Sequence, residues 1–280
     1  MVELAGGPVS WGVDFADDPD NPPYADVLDA LTAAGLRWME LGPVGYLPPG
    51  ALSSRPLGAV GTFVFEAFHA PANELLRATE AALAAITATG GSLLVLIDRP
   101  SDARAATAGR SDLAPRLDER AWRRMLALLE SAAERAAARG VHAVVHPHAG
   151  GYIEFEDEID RVLAETDLDL CLDTGHALYA GSDPVALLHR YGDRIGHLHL
   201  KDVAGPVRAR GLGFWEAVAA GIFCPVGEGL LNLPALRDAL DATAYSGFAT
   251  IEQDRRPGTA GDPADDLARS VARLRAIGIG

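Results

Sequence analysis

The sequence predicts a single (β/α)8 TIM barrel spanning residues 1–280, on three observations. Short apolar, strand-like runs alternate with helix-period segments along the whole chain. No low-complexity linker or change in composition divides it. Some of the runs also end abruptly in residues that bind metals and move protons: Leu170-Cys171-Leu172-Asp173-Thr174-Gly175-His176, His197-Leu198-His199-Leu200-Lys201-Asp202 and Ala249-Thr250-Ile251-Glu252-Gln253-Asp254. Buried strands that deliver such tips belong at the C-terminal rim of a parallel barrel, where strand ends converge on one pocket. A doubly wound open sheet is the alternative. It would want a Gly-rich phosphate turn after the first strand, and Pro8-Val9-Ser10-Trp11-Gly12 is no such turn.

Strands are expected over 8–13, 37–41, 62–68, 92–97, 141–146, 168–173, 195–200 and 248–252. Helical periodicity covers 24–34, 72–89, 118–139, 156–165, 183–191, 233–242 and 262–276. Gly35, Gly90, Gly140 and Gly192 stand where helices stop. Between the second and third strands, Pro- and Gly-rich sequence over 46–59 replaces a clear helix. Segments 99–115 and 203–225 read as rim insertions of the kind that cover a barrel's site. The second carries a short helical piece, 213–221, whose Phe214 and Trp215 suit a lid or the interface of a homo-oligomer.

Composition narrows the class. At 280 residues and 49% hydrophobic the chain can build a large core, and no apolar run is long enough to span a bilayer, so no membrane partner is expected. The N-terminal residues lack a basic region and an apolar signal core, which points to the cytoplasm. Two cysteines, Cys171 and Cys224, are too few for a disulfide framework or a zinc ribbon, and Cys171 reads as a small buried filler. A net charge of −15 disfavours a nucleic-acid partner, whose phosphates need Lys and Arg. The Arg-rich stretch 120–124 reads as a solvated helix face.

Asp173, His199 and Glu252 each close a predicted strand. Any one alone is equally well explained structurally, Asp173 by capping a helix and Glu252 by pairing with Arg255. Three at matching places on successive strands point to a divalent-cation site, because rigid strand tips supply converging donors. The fifth strand ends in His146-Pro147-His148-Ala149-Gly150-Gly151, with Glu154 shortly after. A fourth donor comes from this stretch: strand-end position favours His146, and charge favours Glu154, to which the choice leans. His176, one turn beyond Asp173, is expected to support the site or touch substrate. His197 is expected to point to the opposite face from His199. Lys201 suits an electrophile or general acid beside an oxyanion. Trp11 suits either an apolar wall against a sugar or the core, and Glu40 and His69 suit supporting polar contacts.

These motifs, with Pro225-Val226-Gly227-Glu228-Gly229, resemble the xylose-isomerase-like TIM barrels, and within them the inosose dehydratase branch and its sugar phosphate isomerase/epimerase relatives. The resemblance covers most of the chain. It implies one divalent metal ion (manganese, cobalt, magnesium or zinc) held by an Asp, a His and two carboxylate-type ligands, mapping onto Asp173, His199 and Glu252. Many members carry Glu where His146 stands, and Asp where Asn232 stands. The superfamily also includes AP endonucleases, which use several metals and a basic DNA-binding surface that this acidic chain does not suggest.

The expected chemistry is metal-assisted proton abstraction beside the carbonyl of a small-molecule sugar or cyclitol. Glu154 or Glu252 is the expected base; His148, His176 or Lys201 is the expected proton donor, and Trp11, His146 and His176 are expected substrate contacts. Loss of a β-hydroxyl would make the protein a dehydratase, and return of the proton to carbon an isomerase or epimerase. The rival readings are a non-catalytic sugar-binding barrel and a metal-dependent phosphoesterase of the AP endonuclease type.

Overall fold

The computed structural model describes residues 2–71, 74–256 and 261–280. Eight parallel strands close into a barrel: β1 (Glu3–Gly6), β2 (Trp38–Glu40), β3 (Gly58–Glu66), β4 (Leu93–Asp98), β5 (His142–His146), β6 (Asp169–Asp173), β7 (Ile195–Leu200) and β10 (Phe248–Ile251). Between the last two lie β8 (Asp202–Val203) and β9 (Phe223–Cys224), a short antiparallel pair outside the barrel. The ring runs β1-β10-β7-β6-β5-β4-β3-β2, so the seventh strand pairs with the last and the last closes on the first. The (β/α)8 barrel expected from the alternation is the fold observed.

Two expectations shift. The first strand is Glu3–Gly6, paired in parallel with Phe248–Ile251, and not 8–13. Residues Pro8–Trp11 form a 3-10 turn instead, with Pro8 at its start and Gly12 in the left-handed region (φ 80°) at its end. Proline is pre-set for such a turn and has no N–H to give to a ladder, which defeats the apolar-run signal here. The third strand begins at Gly58 instead of 62 because Gly61 lets it run hard against β4: a Cβ there would collide with the carbonyl oxygen of Leu93. The segment 46–59 is turn-rich and without helix before Gly58, as its prolines and glycines indicate. Of the helix expected over 72–89, residues 72 and 73 lie outside the described residues; the helix observed is Leu75–Thr89.

Three apolar clusters organise the packing. The largest fills the space between the strands and the helices, with Leu28, Leu83, Met125, Leu170 and Leu198 fully buried. A second, of Ala5, Val60, Val95, Val144 and Cys171, plugs the barrel interior below the rim, where Cys171 is the small filler expected. The third roofs the C-terminal end. There the helix Asp102–Thr107 from one rim insertion packs on the helix Phe214–Ala219 from the other, through Ala105, Ala108, Phe214, Ala217 and Val218. Asp202 pins the second insertion at its base by accepting the N–H groups of Val203, Gly227, Gly229 and Leu231.

Candidate metal centre

Four strand ends bring the donors together. Asp173 caps the helix Thr174–Ala180, its Oδ1 accepting the N–H groups of Gly175 (2.7 Å) and His176 (2.8 Å). Capping and site are therefore not alternatives, because Oδ2 is left facing inward, 3.4 Å from His146 Nε2 and 3.7 Å from His199 Nδ1. His199 Nδ1 lies 3.0 Å from Glu252 Oε2. Glu252 does not pair with Arg255, whose guanidinium is bound to Asp266. All four side chains are buried.

His199 is oriented from behind by Glu40. From the end of β2 this carboxylate reaches across the barrel, and its Oε1 accepts hydrogen bonds from His197 Nε2 (2.8 Å), His199 Nε2 (2.9 Å) and Thr250 Oγ1 (2.7 Å). His197 therefore does not point to the opposite face from His199. Strand side chains repeat every two residues, so positions 197 and 199 share one face. With Nε2 committed to Glu40, His199 turns Nδ1 towards Asp173 and Glu252, where it is buried without a hydrogen-bond partner among the described residues.

The buried charges of this cluster shift one another. Burial alone would push the His199 imidazole down, yet its neighbours, Glu252 and Glu40 among them, hold it well above its usual range. Burial would likewise push Lys201 down, but Asp173, Asp254 and Glu252 raise it well above the ordinary lysine value. Asp173, despite burial, is held well below the carboxylate range by Lys201 and the surrounding histidines. A buried cluster that gathers extra protons in this way is one that calls for positive charge. Two carboxylates and two imidazoles would neutralise a dication, and a mixed nitrogen and oxygen set suits manganese, cobalt or zinc better than magnesium. The residues present fit the ion that the motifs imply.

Lys201 is buried beside this centre, its Nζ 3.1 Å from Asp173 Oδ2, 3.3 Å from Glu252 Oε2, 2.7 Å from Asp254 Oδ1 and 3.2 Å from His176 Nε2. Gly175 makes room for it, since a Cβ there would sit 2.5 Å from Lys201 Cγ. His176 Nδ1 accepts the N–H of Ala149 (3.2 Å), which leaves Nε2 facing Asp254 Oδ2 at 3.4 Å. His148 stacks on His176 with ring centroids 4.1 Å apart and donates from Nδ1 to the carbonyl of Ala149 (2.9 Å). Burial and the neighbouring His176 push the His148 imidazole well below its usual range, so it is neutral.

Glu154, favoured on charge as fourth ligand and base, is not at the centre. Its carboxylate accepts the N–H groups of Gly109 (2.6 Å) and Gly150 (2.9 Å) and faces Arg104 at 3.3 Å. Arg104, itself fully buried, also binds Glu158. Glu154 therefore ties the rim insertion to the turn that carries His148, and of the two candidates from this stretch it is His146 that lies beside the centre, with Nε2 3.4 Å from Asp173 Oδ2. Asp173 and Glu252 would already match the charge of a dication, and Asp254 balances Lys201.

A cavity opens above the centre, lined by His146, His148, His176, Lys201, Glu252 and Asp254 on its polar side. Phe63, Phe65 and Ile97 form one apolar wall, and Phe214, Trp215 and Val218 the roof. Trp11 does not line it; its side chain is in the hydrophobic core. His69 is bound to Asp98 (2.8 Å) and lies outside the lining. Asp14, from the turn after β1, and Asp254 also line the cavity, neither being a candidate from the sequence. For Asp254 the signal was present, because it lies two residues beyond Glu252 and so projects to the same side. Among the described residues, no helix is long and apolar enough to cross a membrane.

Comparison with known proteins places this geometry. An inosose dehydratase of Geobacillus thermodenitrificans is 36% identical over 156 residues, 53% of this chain and 52% of that protein; the chain spans about half the length of the first curated relatives it matches. An inosose dehydratase of Lacticaseibacillus casei aligns over 92% of both chains at 28% identity. The crystal structure of the IOLI protein with a bound zinc atom superposes with a TM-score of 0.72, covering 99% of this chain and 98% of that one at 12% identity. The profile of the xylose isomerase-like TIM barrels matches residues 73–277, which carry β4 to β10 and, with them, Asp173, His199, Glu252 and His146. On that match, and on a closed parallel barrel whose strand tips meet as the motifs require, the chain belongs to the xylose isomerase-like TIM barrel family.

Proposed function

We propose that the protein is a metal-dependent lyase of the inosose dehydratase type, removing the proton beside the carbonyl of a keto-polyol and expelling a β-hydroxyl as water. The observation that carries this reading is the convergence of Asp173 and Glu252 on His199 Nδ1, which is buried, makes no hydrogen bond among the described residues and is backed by Glu40 through the other ring nitrogen. His146, Asp173, His199 and Glu252 would hold the ion, which as a Lewis acid would polarise the carbonyl and acidify its α-proton. Glu252 is the base. Its Oε2 is held by His199 and Lys201, and the carboxylate opens onto the cavity. Lys201, kept protonated by three carboxylates, supplies a fixed positive charge next to oxygen that becomes negative as the proton leaves. The stacked rings of His148 and His176 fix the turn at one side, and the roof of Phe214 and Trp215 keeps bulk water out. The inosose dehydratase relatives support the choice of dehydration over epimerisation, which shares the same first proton transfer.

The test is incubation of the metal-loaded protein with 2-keto-myo-inositol and with simple ketoses, following diketone absorbance against epimer formation. Diketone appearance with about one ion per chain, both lost in Asp173→Asn, is the expected result. Activity confined to ketoses would replace the dehydratase with an epimerase. Sugar binding with no turnover and no stoichiometric metal would leave a non-catalytic barrel.

A further inference from the structure

The dehydration needs a proton for the departing hydroxyl, and most ionisable groups lining the cavity are already engaged. Lys201 is held by Asp173, Glu252 and Asp254. His148 gives its Nδ1 proton to the carbonyl of Ala149, and His176 is bound at Nδ1 by Ala149 and faces Asp254 and Lys201 through Nε2. Asp14 differs. It follows the 3-10 turn Pro8–Trp11 and Gly12, lines the cavity together with Glu252, Asp254 and Lys201, and makes no hydrogen bond or ion pair with any described residue. It also lines an adjoining outer groove with Phe15, Phe65, Glu66 and Arg99, and so stands where the cavity meets solvent.

We propose that Asp14 is a catalytic residue, the general acid that protonates the leaving β-hydroxyl of the substrate. The inference rests on the dehydratase reading above. Glu252 takes the α-proton, and the electron pair left on carbon is delocalised onto the carbonyl oxygen. That pair then re-forms the C=O bond and builds the new C=C bond, while the β-carbon–oxygen bond breaks with its electrons going to oxygen. The oxygen takes the Asp14 proton and departs as water. The products are water and the α-hydroxy enone, which tautomerises to the diketone with no oxidation or reduction, and Asp14 and Glu252 return to their starting states by proton exchange with solvent through the groove.

The environment suits the role. Burial, followed by Asp254 and Glu252, pushes the Asp14 carboxyl up to about 7, against the opposing pull of Lys201 and Arg256. A general acid works best with a pKa near the operating pH. The carboxyl must be protonated to act, so kcat should fall as pH rises through about 7.

The experiment uses the metal-loaded protein and 2-keto-myo-inositol in D2O, reading two rates: exchange of the α-hydrogen by mass spectrometry, and dehydration by diketone absorbance. Asp14→Asn should lower dehydration by about 100-fold or more, the usual contribution of a general acid. Exchange should stay within about threefold of the parent, because the first proton transfer does not use Asp14. The high-pH fall in kcat should disappear in Asp14→Asn and survive in Asp14→Glu, which restores part of the rate. Asp14 makes no hydrogen bond with any described residue, so melting temperature and metal content should match the parent's and verify folding. Dehydration within threefold of the parent in Asp14→Asn overturns the proposal, as does equal loss of exchange and dehydration, which would make Asp14 a binding group. No turnover of 2-keto-myo-inositol by the parent protein defeats the dehydratase reading itself, a result distinct from either.

Discussion

Glu40→Gln tests the idea that the centre is aimed from behind. The substitution keeps size and shape but removes a charge whose Oε1 gathers three hydrogen bonds, at 2.8, 2.9 and 2.7 Å from His197, His199 and Thr250. Although burial opposes it, the two imidazoles hold the Glu40 carboxyl well below its usual range, so it is an anion at every pH of interest. Its loss acts on the centre through His199, because a carboxylate behind an imidazole fixes the tautomer and raises the basicity of the other nitrogen. Substitutions of this kind weaken metal binding by about 10- to 100-fold, equivalent to about 1.4–2.7 kcal/mol. The neutral amide retains an acceptor, which places the expected loss towards the lower figure. Glu40 does not line the cavity, so direct substrate contacts are spared. The assay is competition for metal against a chromophoric chelator, with far-UV circular dichroism to verify the fold. Metal affinity within threefold of the parent would refute the argument that Glu40 sets the donor strength of His199.

Further outcomes follow from the same geometry. Glu154→Gln should retain a full complement of metal, measured by elemental analysis, because Glu154 is spent on Gly109, Gly150 and Arg104. Burial, opposed by those same backbone N–H groups and Arg104, pushes the Glu154 carboxyl up to about 7. The folded state then binds its proton more tightly than the unfolded one, so this contribution to stability is full below the ordinary carboxylate pKa and is lost as pH rises through about 7. Urea unfolding from pH 4.5 to 8 should show a loss of up to roughly 3 kcal/mol that Glu154→Gln removes. Gly175→Ala should displace Lys201 and lower kcat by more than tenfold while metal content holds, because the new Cβ meets Lys201 Cγ at 2.5 Å.

The barrel was legible in the sequence because each buried strand is a compact apolar run and the intervening helices keep their period. Misreadings arose where local chemistry overrode that pattern. Pro8-Val9-Ser10-Trp11 is as apolar as a strand but begins with a residue that cannot donate to a ladder, while the true first strand hides in Glu3-Leu4-Ala5-Gly6. Asp173, His199 and Glu252 could be read because strand tips inherit their direction from the strand. Glu154 could not, because loop side chains take their direction from their partners in the fold, here Arg104, the distant Gly109 N–H and the nearby Gly150 N–H. His197 shares its face with His199, because strand residues two apart point the same way, and both imidazoles meet Glu40. Asp14 gave no local signal: what sets it apart is a missing partner, which only the folded neighbourhood reveals.

The roof over the centre has a core of its own, of Ala105, Ala149, Phe214, Ala217 and Phe223, separate from the cluster that binds strands to helices. Each of its two loops is anchored separately, the second by the four N–H groups that Asp202 accepts and the first by Glu154, so the roof rests on the barrel without sharing its core. The entrance can be remodelled by changing two loops while the ion's cradle stays as it is.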